Sequence, residues 1–277
     1  MPSVNDIPGG GQPPELTFLI FAHNSAAVIE NTLESVGKRF HDERVEILVV
    51  QNGSVDGTQD ILARIAGRWG DGWPTLRVVE SAKGLGNAVR TGFAASTGRV
   101  VVASPDDLPF GFDDLEGAQR LGFGPRQVVV GSKGHPDSDL GDRSWVRTIM
   151  TAGFRALRLV ILGMRIADPQ GTYVVDGDWA RATTPALKET GFLITTEIAY
   201  AAILSGIRPV EVPVRLRESH HRTRIAPRDV LQMGLGLLSL RARRRALRAE
   251  LRTLGSVASD TQTLPAGDVS AHPVHSS

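Results

Sequence analysis

The sequence contains no cysteine, which excludes disulfides, thiolate metal sites and thiol nucleophiles and is compatible with a reducing cytoplasm. It has almost no net charge, +1 from 31 basic and 30 acidic residues. No global field therefore speaks for nucleic acid, and any basic patch must be local. Long hydrophobic runs are missing as well. The longest apolar stretches, Leu157 to Met164 and Val230 to Leu240, fall short of the roughly 20 residues that a membrane-spanning helix needs. The start, Met1-Pro2-Ser3-Val4-Asn5-Asp6, lacks the basic-then-apolar pattern of a secretory leader. Together these absences predict a cytoplasmic protein, soluble or at most peripheral at a membrane surface.

What is present is ordinary in bulk and ordered in detail. The 277 residues are 41% apolar and 22% charged, enough for one large α/β domain with a full core or two small ones. Residues 1–14 are rich in Pro and Gly and read as a disordered lead. Residues 255–277 read as a flexible tail, with His272 and His275 solvated. Between them the chain alternates. Short apolar runs at Leu16–Ala22, Val45–Val50, Leu76–Val79, Val100–Ala103, Val128–Val130 and Pro209–Leu216 are separated by helical patterns. Such runs predict a mostly parallel sheet with helices on both faces, in a single domain over 15–226. An apolar, then basic helix over 227–254 follows, starting where Pro227 suits a first turn. In such sheets ligands bind beyond the carboxyl ends of the strands, and polar residues gather there: Asn24, Asn52, Ser104 to Asp107 and Gly131-Ser132-Lys133. Asp113 and Asp114 read as caps of the next helix.

Several segments are distinctive in order and spacing. Phe21-Ala22-His23-Asn24 is followed by Val49-Val50-Gln51-Asn52-Gly53-Ser54-Val55-Asp56-Gly57-Thr58, and then by Gly84-Leu85-Gly86-Asn87-Ala88-Val89-Arg90-Thr91-Gly92-Phe93. Downstream come Gly131-Ser132-Lys133, Asp168-Pro169-Gln170-Gly171-Thr172-Tyr173, Gly191-Phe192 through Glu197, Glu211-Val212-Pro213-Val214 and Arg222-Thr223-Arg224-Ile225. In this order they resemble the family 2 glycosyltransferases of GT-A fold, and within them the polyprenyl-phosphate sugar transferases. The resemblance covers about Leu16 to Leu240. It implies transfer of a sugar from a nucleotide diphosphate sugar to an acceptor, with inversion, by in-line displacement at the anomeric carbon.

The resemblance places Asn24, Asn52 and Asp56 around the nucleotide, with Lys83, Gly84, Gly86 and Arg90 flanking the ribose or donor sugar. Asn52 can both accept and donate, a pattern that suits uracil better than guanine; the same Asn-Gly pair also reads as a turn that caps its own backbone. The family's metal-binding D-x-D stretch corresponds to Ser104-Pro105-Asp106-Asp107-Leu108-Pro109. Asp107 keeps the second carboxylate and Asp106 stands beside it, while Pro105 and Pro109 replace the first Asp and the usual Gln. One carboxylate with phosphates and waters can still hold Mg²⁺ or Mn²⁺.

Asp168 and Glu197 are the carboxylates that the resemblance puts near sugar and acceptor. Glu197 lies in an otherwise apolar helix, where a bare carboxylate is costly, so it also reads as a satisfied structural acceptor. Arg147, Thr151 and Arg155 share one helix face, and with Arg222 and Arg224 they could gather an acceptor phosphate. Ala152 and Val174 stand where the family has further arginines. His220 and His221 read either as phosphate ligands or as a surface pair. The resemblance implies a polyprenyl phosphate acceptor, and the helix from Asp229, apolar and then rich in arginine, suits an anionic membrane surface. A soluble small-molecule acceptor, and a degenerate domain that binds without catalysis, remain as alternatives.

Overall fold

The computed structural model describes residues 13–139, 145–217 and 227–261. Seven strands build one sheet: β1 (Leu16–Ala22), β2 (Val45–Gln51), β3 (Thr75–Glu80), β4 (Val100–Pro105), β5 (Val128–Ser132), β6 (Thr172–Asp176) and β7 (Val210–Pro213). Their order across the sheet is β3-β2-β1-β4-β6-β5-β7. The helices between them are α1 (Ile29–Arg39), α2 (Thr58–Ala66), α3 (Leu85–Ala95), α4 (Asp113–Arg120), α5 (Trp145–Leu162), α6 (Gly177–Thr183) and α7 (Ile194–Leu204). Two more, α8 (Pro227–Ala242) and α9 (Arg244–Thr261), close the described chain.

The strands read as continuous apolar runs because both faces of the sheet are covered. All seven residues of β2 are buried. Successive residues of β1 feed opposite layers, as the twofold period of a strand requires. Leu19 joins Leu48, Phe93, Val101 and Trp179 on one face; Phe18 and Ile20 join Leu33, Ile47, Leu62 and Val102 on the other.

One strand escaped the sequence reading. Thr172–Asp176, whose first two residues close the Asp168–Tyr173 motif, forms β6, inserted between β4 and β5 and antiparallel to both. Every other pairing is parallel. The reversal has a consequence for the site, because the segment that leads into β6 arrives at the edge where its neighbours end. Gly171 makes the insertion possible. A Cβ there would stand 1.8 Å from the Gly131 carbonyl oxygen.

The C-terminal region also differs from expectation. In place of one helix over 227–254 there are two, with Arg243 between them. The helical backbone continues to Thr261, past the point where a flexible tail was expected. Leu237, Leu240, Leu247 and Leu251 are buried in the same apolar layer as Ile194, Ile198 and Trp179. These helices are thus part of the domain's own core. Most of the expected lead and tail, 1–12 and 262–277, lies outside the described residues.

Asp113 and Asp114 are not caps, since α4 begins at Asp113 and Phe112 holds the cap position. The Asp113 carboxylate accepts the Arg215 amide at 2.8 Å. Asp114 is buried, and burial pushes its carboxyl above the usual range, with the neighbouring Asp113 adding to the rise. A carboxyl raised in the folded state favours folding at low pH and loses that advantage as pH climbs through its folded value. Asp114→Asn, whose amide oxygen can still accept the Leu115 N–H now held at 2.8 Å, is therefore expected to raise Tm at neutral pH. The gain should shrink as pH is lowered, and a pH series of thermal melts checks it; an equal gain at every pH would refute the assignment.

Candidate active site

Parallel β1, β2 and β4 end side by side, and the chain that follows each forms one edge of polar loops. At the β1 end, Asn24 adopts a positive φ of 54°. Its amide donates to Ser54 Oγ at 3.0 Å, and its side-chain oxygen accepts the Val55 amide at 2.9 Å. Asp56 accepts from the Ala26 amide and from both the amide and hydroxyl of Thr58. What burial it has raises its carboxyl, but those hydrogen bonds outweigh burial and hold it below the ordinary value. Asn24 and Asp56 thus stitch the β1 and β2 loops together.

Asn52 is buried at the end of β2, and its side-chain oxygen accepts the Gly84 amide at 2.8 Å. The acceptor that the sequence reading offered to a base is therefore already engaged, and it fixes the start of α3. The Gly84–Gly86 turn likewise works inward. Gly84 takes a φ of 122°, the Gly86 amide donates to the Thr190 carbonyl, and a Cβ at Gly86 would stand 2.0 Å from the Glu189 carbonyl oxygen. The glycines here let two backbones touch. Arg90 braces the same contact by donating to the Glu189 carbonyl and to the Asn87 side chain. Lys83 is exposed on this edge.

Beyond β4, Asp106 is buried and its carbonyl accepts the Thr32 hydroxyl, while Asp107 is half-buried in the turn. Leu108, with a φ of 44°, completes the reversal. Arg217, which the sequence reading missed, donates its amide to the Pro109 carbonyl and lays its guanidinium over Gly111. No local sequence pattern ties it to this turn. Among the described residues no three His, Asp or Glu side chains form a metal cage. The turn offers Asp107 and Asp106, a hard oxygen set that fits a cation keeping most of its shell as water and phosphate oxygen.

The loop before β6 brings Asp168 to the same edge. Asp168 is 8% exposed; its Oδ1 accepts the Gln170 amide at 2.9 Å, and its Oδ2 lies 3.8 Å from Lys133 Nζ at the end of β5. Glu211 on β7 accepts the Ala167 and Asp168 amides at 2.9 and 3.1 Å, and the Ser132 hydroxyl. The Tyr173 hydroxyl, pushed far up by burial, lies 2.7 Å from the Pro169 carbonyl and 2.6 Å from that of Thr195. These contacts leave the Asp168 loop well held and close to a cation.

Glu197 belongs elsewhere. It is fully buried, accepts the Lys188 and Glu189 amides at 3.0 and 2.8 Å, and pairs with Arg243. Of its two sequence readings, the geometry matches the satisfied structural acceptor. Burial, with the charge of Glu197 adding to it, raises the nearby Glu189 carboxyl. Arg147, Thr151 and Arg155 all lie on α5, and Thr151 and Arg155 are exposed. Val174 is fully buried in the apolar layer with Val102, Val129 and Val212. Arg222 and Arg224, with His220 and His221, lie outside the described residues.

This arrangement can bind an anionic group beside Lys133, orient a hydroxylated group against Asp168, and offer carboxylate oxygen to a cation at the Asp107 turn. A profile of Glycosyl transferase family 2 matches residues 17–181. The dolichyl-phosphate beta-glucosyltransferase of Homo sapiens is 27% identical over 219 residues, covering 76% of this chain and 68% of that protein. The Mus musculus protein of the same name is 28% identical over 221 residues, covering 77% and 68%. Glucosyl-3-phosphoglycerate synthase from Mycobacterium tuberculosis, solved with UDP, superimposes with a TM-score of 0.55 at 20% identity. That match covers 82% of this chain and 80% of the other, and a second structure of that synthase holds Mn²⁺ with UDP and its product.

Proposed function

Because this chain belongs to glycosyl transferase family 2, and is a glycosyltransferase of GT-A-like fold, we propose that it moves a sugar from a UDP-sugar to a polyprenyl phosphate. The observation that carries the reading is the pairing of Lys133 with Asp168 on the edge that also bears the Asp107 turn. The Homo sapiens and Mus musculus relatives, whose names specify a dolichyl phosphate acceptor, support the acceptor.

Each residue then has a task. The β1 and β2 loops, stitched by Asn24, Asn52 and Asp56, shape the nucleotide pocket. Asp107 would hold Mg²⁺ or Mn²⁺, which would supply neutralisation of charge on the departing diphosphate. Lys83 and Arg217 add positive charge near that group. Asp168 orients a sugar hydroxyl, and Lys133 with Arg147 and Arg155 draws in the acceptor phosphate. That phosphate is already an anion and needs no general base. Its oxygen attacks the anomeric carbon as the carbon–oxygen bond to the nucleotide breaks, which inverts the centre.

A lipid acceptor calls for a surface, and α5 with α8 supplies one. These helices pack together, and Gly234 sits 3.8 Å from Leu157 if given a Cβ. Leu157, Leu159 and Val160 of α5 and Leu235 and Leu238 of α8 are exposed, Val160 to 79%. Arg155, Arg165, Arg241, Arg244 and Arg245 are exposed nearby in sequence. An apolar face with arginines suits an anionic bilayer interface. Among the described residues no helix is long and apolar enough to cross a membrane.

Thermal melts with UDP- and GDP-sugars, each with Mg²⁺, Mn²⁺ or EDTA, test the donor. A ligand at 100 times its Kd adds about 2.7 kcal/mol of stability, and that shift is expected with UDP-sugar plus metal. Transfer is then expected to polyprenyl phosphate and not to phosphoglyceric acid; the reverse would make the acceptor soluble.

A further inference from the structure

We infer that Arg158, on α5, is the positioning residue that sets the Asp168 loop for transfer, an inference resting on the reading of the site above. Arg158 is 2% exposed. Its Nη2 donates to the Ala167 carbonyl at 3.0 Å and reaches the Ile166 carbonyl at 3.4 Å. From the other side Glu211 accepts the amides of Ala167 and Asp168. The peptide groups that lead into Asp168 are therefore gripped through both polarities, carbonyls by a cation from α5 and amides by an anion from β7. The Asp168 side chain then closes its own turn on the Gln170 amide. Such a double grip holds a short loop where backbone conformation alone would not.

The position carries a cost that packing does not explain. Arg158 Nε and Nη1 are buried with no hydrogen-bond partner. Burial pulls the guanidinium below its ordinary value, and Asp168 is the foremost neighbour opposing that, followed by Tyr173 and Glu211, while Arg155 adds to the fall. The Phe154 ring, 5.2 Å from the guanidinium carbon, gives it a further favourable contact. A buried cation with unmatched donors is a liability that an apolar side chain of similar length would remove. The side chain lies where two carboxylates, Asp168 of the loop and Glu211 of β7, meet the same stretch of backbone. Its positive charge and its reach to the Ala167 carbonyl are what that loop uses.

The test compares Arg158→Met and Arg158→Lys with Asp168→Asn and the Asp168→Asn/Arg158→Met double variant in the full chain. Amide hydrogen exchange across 166–170 is read first, because it needs no substrate. Exchange at Ala167 and Asp168 is expected to rise at least tenfold in Arg158→Met, with Arg158→Lys between it and the wild type. Turnover is read with UDP-glucose and polyprenyl phosphate. Arg158→Met is expected to lower kcat about 10- to 100-fold, since small misplacements of a reacting group cost that much, with the donor KM within twofold. The double variant should be no slower than Asp168→Asn alone, because a residue that acts through Asp168 has nothing left to position. A purely structural role would instead lower both rates multiplicatively. Unchanged exchange at Ala167 and Asp168, or multiplicative losses in the double variant, overturns the inference. A soluble acceptor or a GDP donor would overturn only the substrate reading, and the exchange result would stand.

Discussion

Glu197→Ala is expected to destabilise the protein by about 3 kcal/mol, the lower end of what breaking a buried ion pair costs. The lower end applies because Glu197 is fully buried whereas the Arg243 side chain remains 30% exposed and can turn to water. The loss has two parts. Arg243 loses its partner, and the Lys188 and Glu189 amides lose the oxygen that both now use. At about 2–4 °C per kcal/mol for a chain of this size, Tm should fall by roughly 6–12 °C. Glu197→Gln keeps an oxygen for the amides and should lose less. A companion Arg243→Leu change in the Ala background should recover part of the loss, because it removes the orphaned cation. A fall under about 3 °C would show that the amides and Arg243 find other partners, and that Glu197 is no structural keystone.

Asp107→Ala is expected to lower kcat/KM by about 10²- to 10³-fold, the range seen when an electrostatic group is removed from a transition state. The effect should be large because Pro105 and Pro109 contribute no carboxylate or amide side chain to this turn, which would leave the buried Asp106 alone to hold a metal. A steeper requirement for added Mn²⁺ should accompany it, measured as the concentration for half-maximal rate. Asp106→Asn, in the same turn, should also slow the reaction but by less, since Asp106 is buried and Asp107 is the more exposed of the two. Rates within threefold of wild type for Asp107→Ala would remove that residue from the mechanism. The diphosphate would then be left to cations such as Lys83 and Arg217.

The parallel core was readable because its central strands β1, β2 and β4 are buried on both faces and all are bounded by turn residues. Leu16–Ala22 was read to the residue, and the runs at β2, β3 and β4 within one or two positions. β6 was hidden for a physical reason. Its pairing with β4 and β5 is settled by contacts 41 to 76 positions away in the chain, and the Pro-Gly loop ahead of it carries the local signal of irregular structure. The break at Arg243 was hidden in the same way, since it answers to a buried Glu197 on another helix. Glu197 itself was visible as a misfit, a carboxylate in an apolar helix, but its partner was not. Asp168 was recognisable from its Pro/Gly loop. The neighbours that hold it, Glu211 and Arg158, were not, because one looked like part of a strand motif and the other like a basic residue in an apolar helix.

The Glu197–Arg243 pair has a reach that its burial conceals. Arg243 sits at the joint of α8 and α9, and Glu197 holds the amides of Lys188 and Glu189. The next carbonyls along, those of Glu189 and Thr190, hold Arg90 and the Gly86 amide at the head of α3. The joint between α8 and α9 and the glycine turn beside the β1 and β2 loops are thus joined by a few rigid links. Loosening any one of those links, at Arg243 or at Glu197, frees both ends at once, so the two C-terminal helices and the head of α3 stand or fall together.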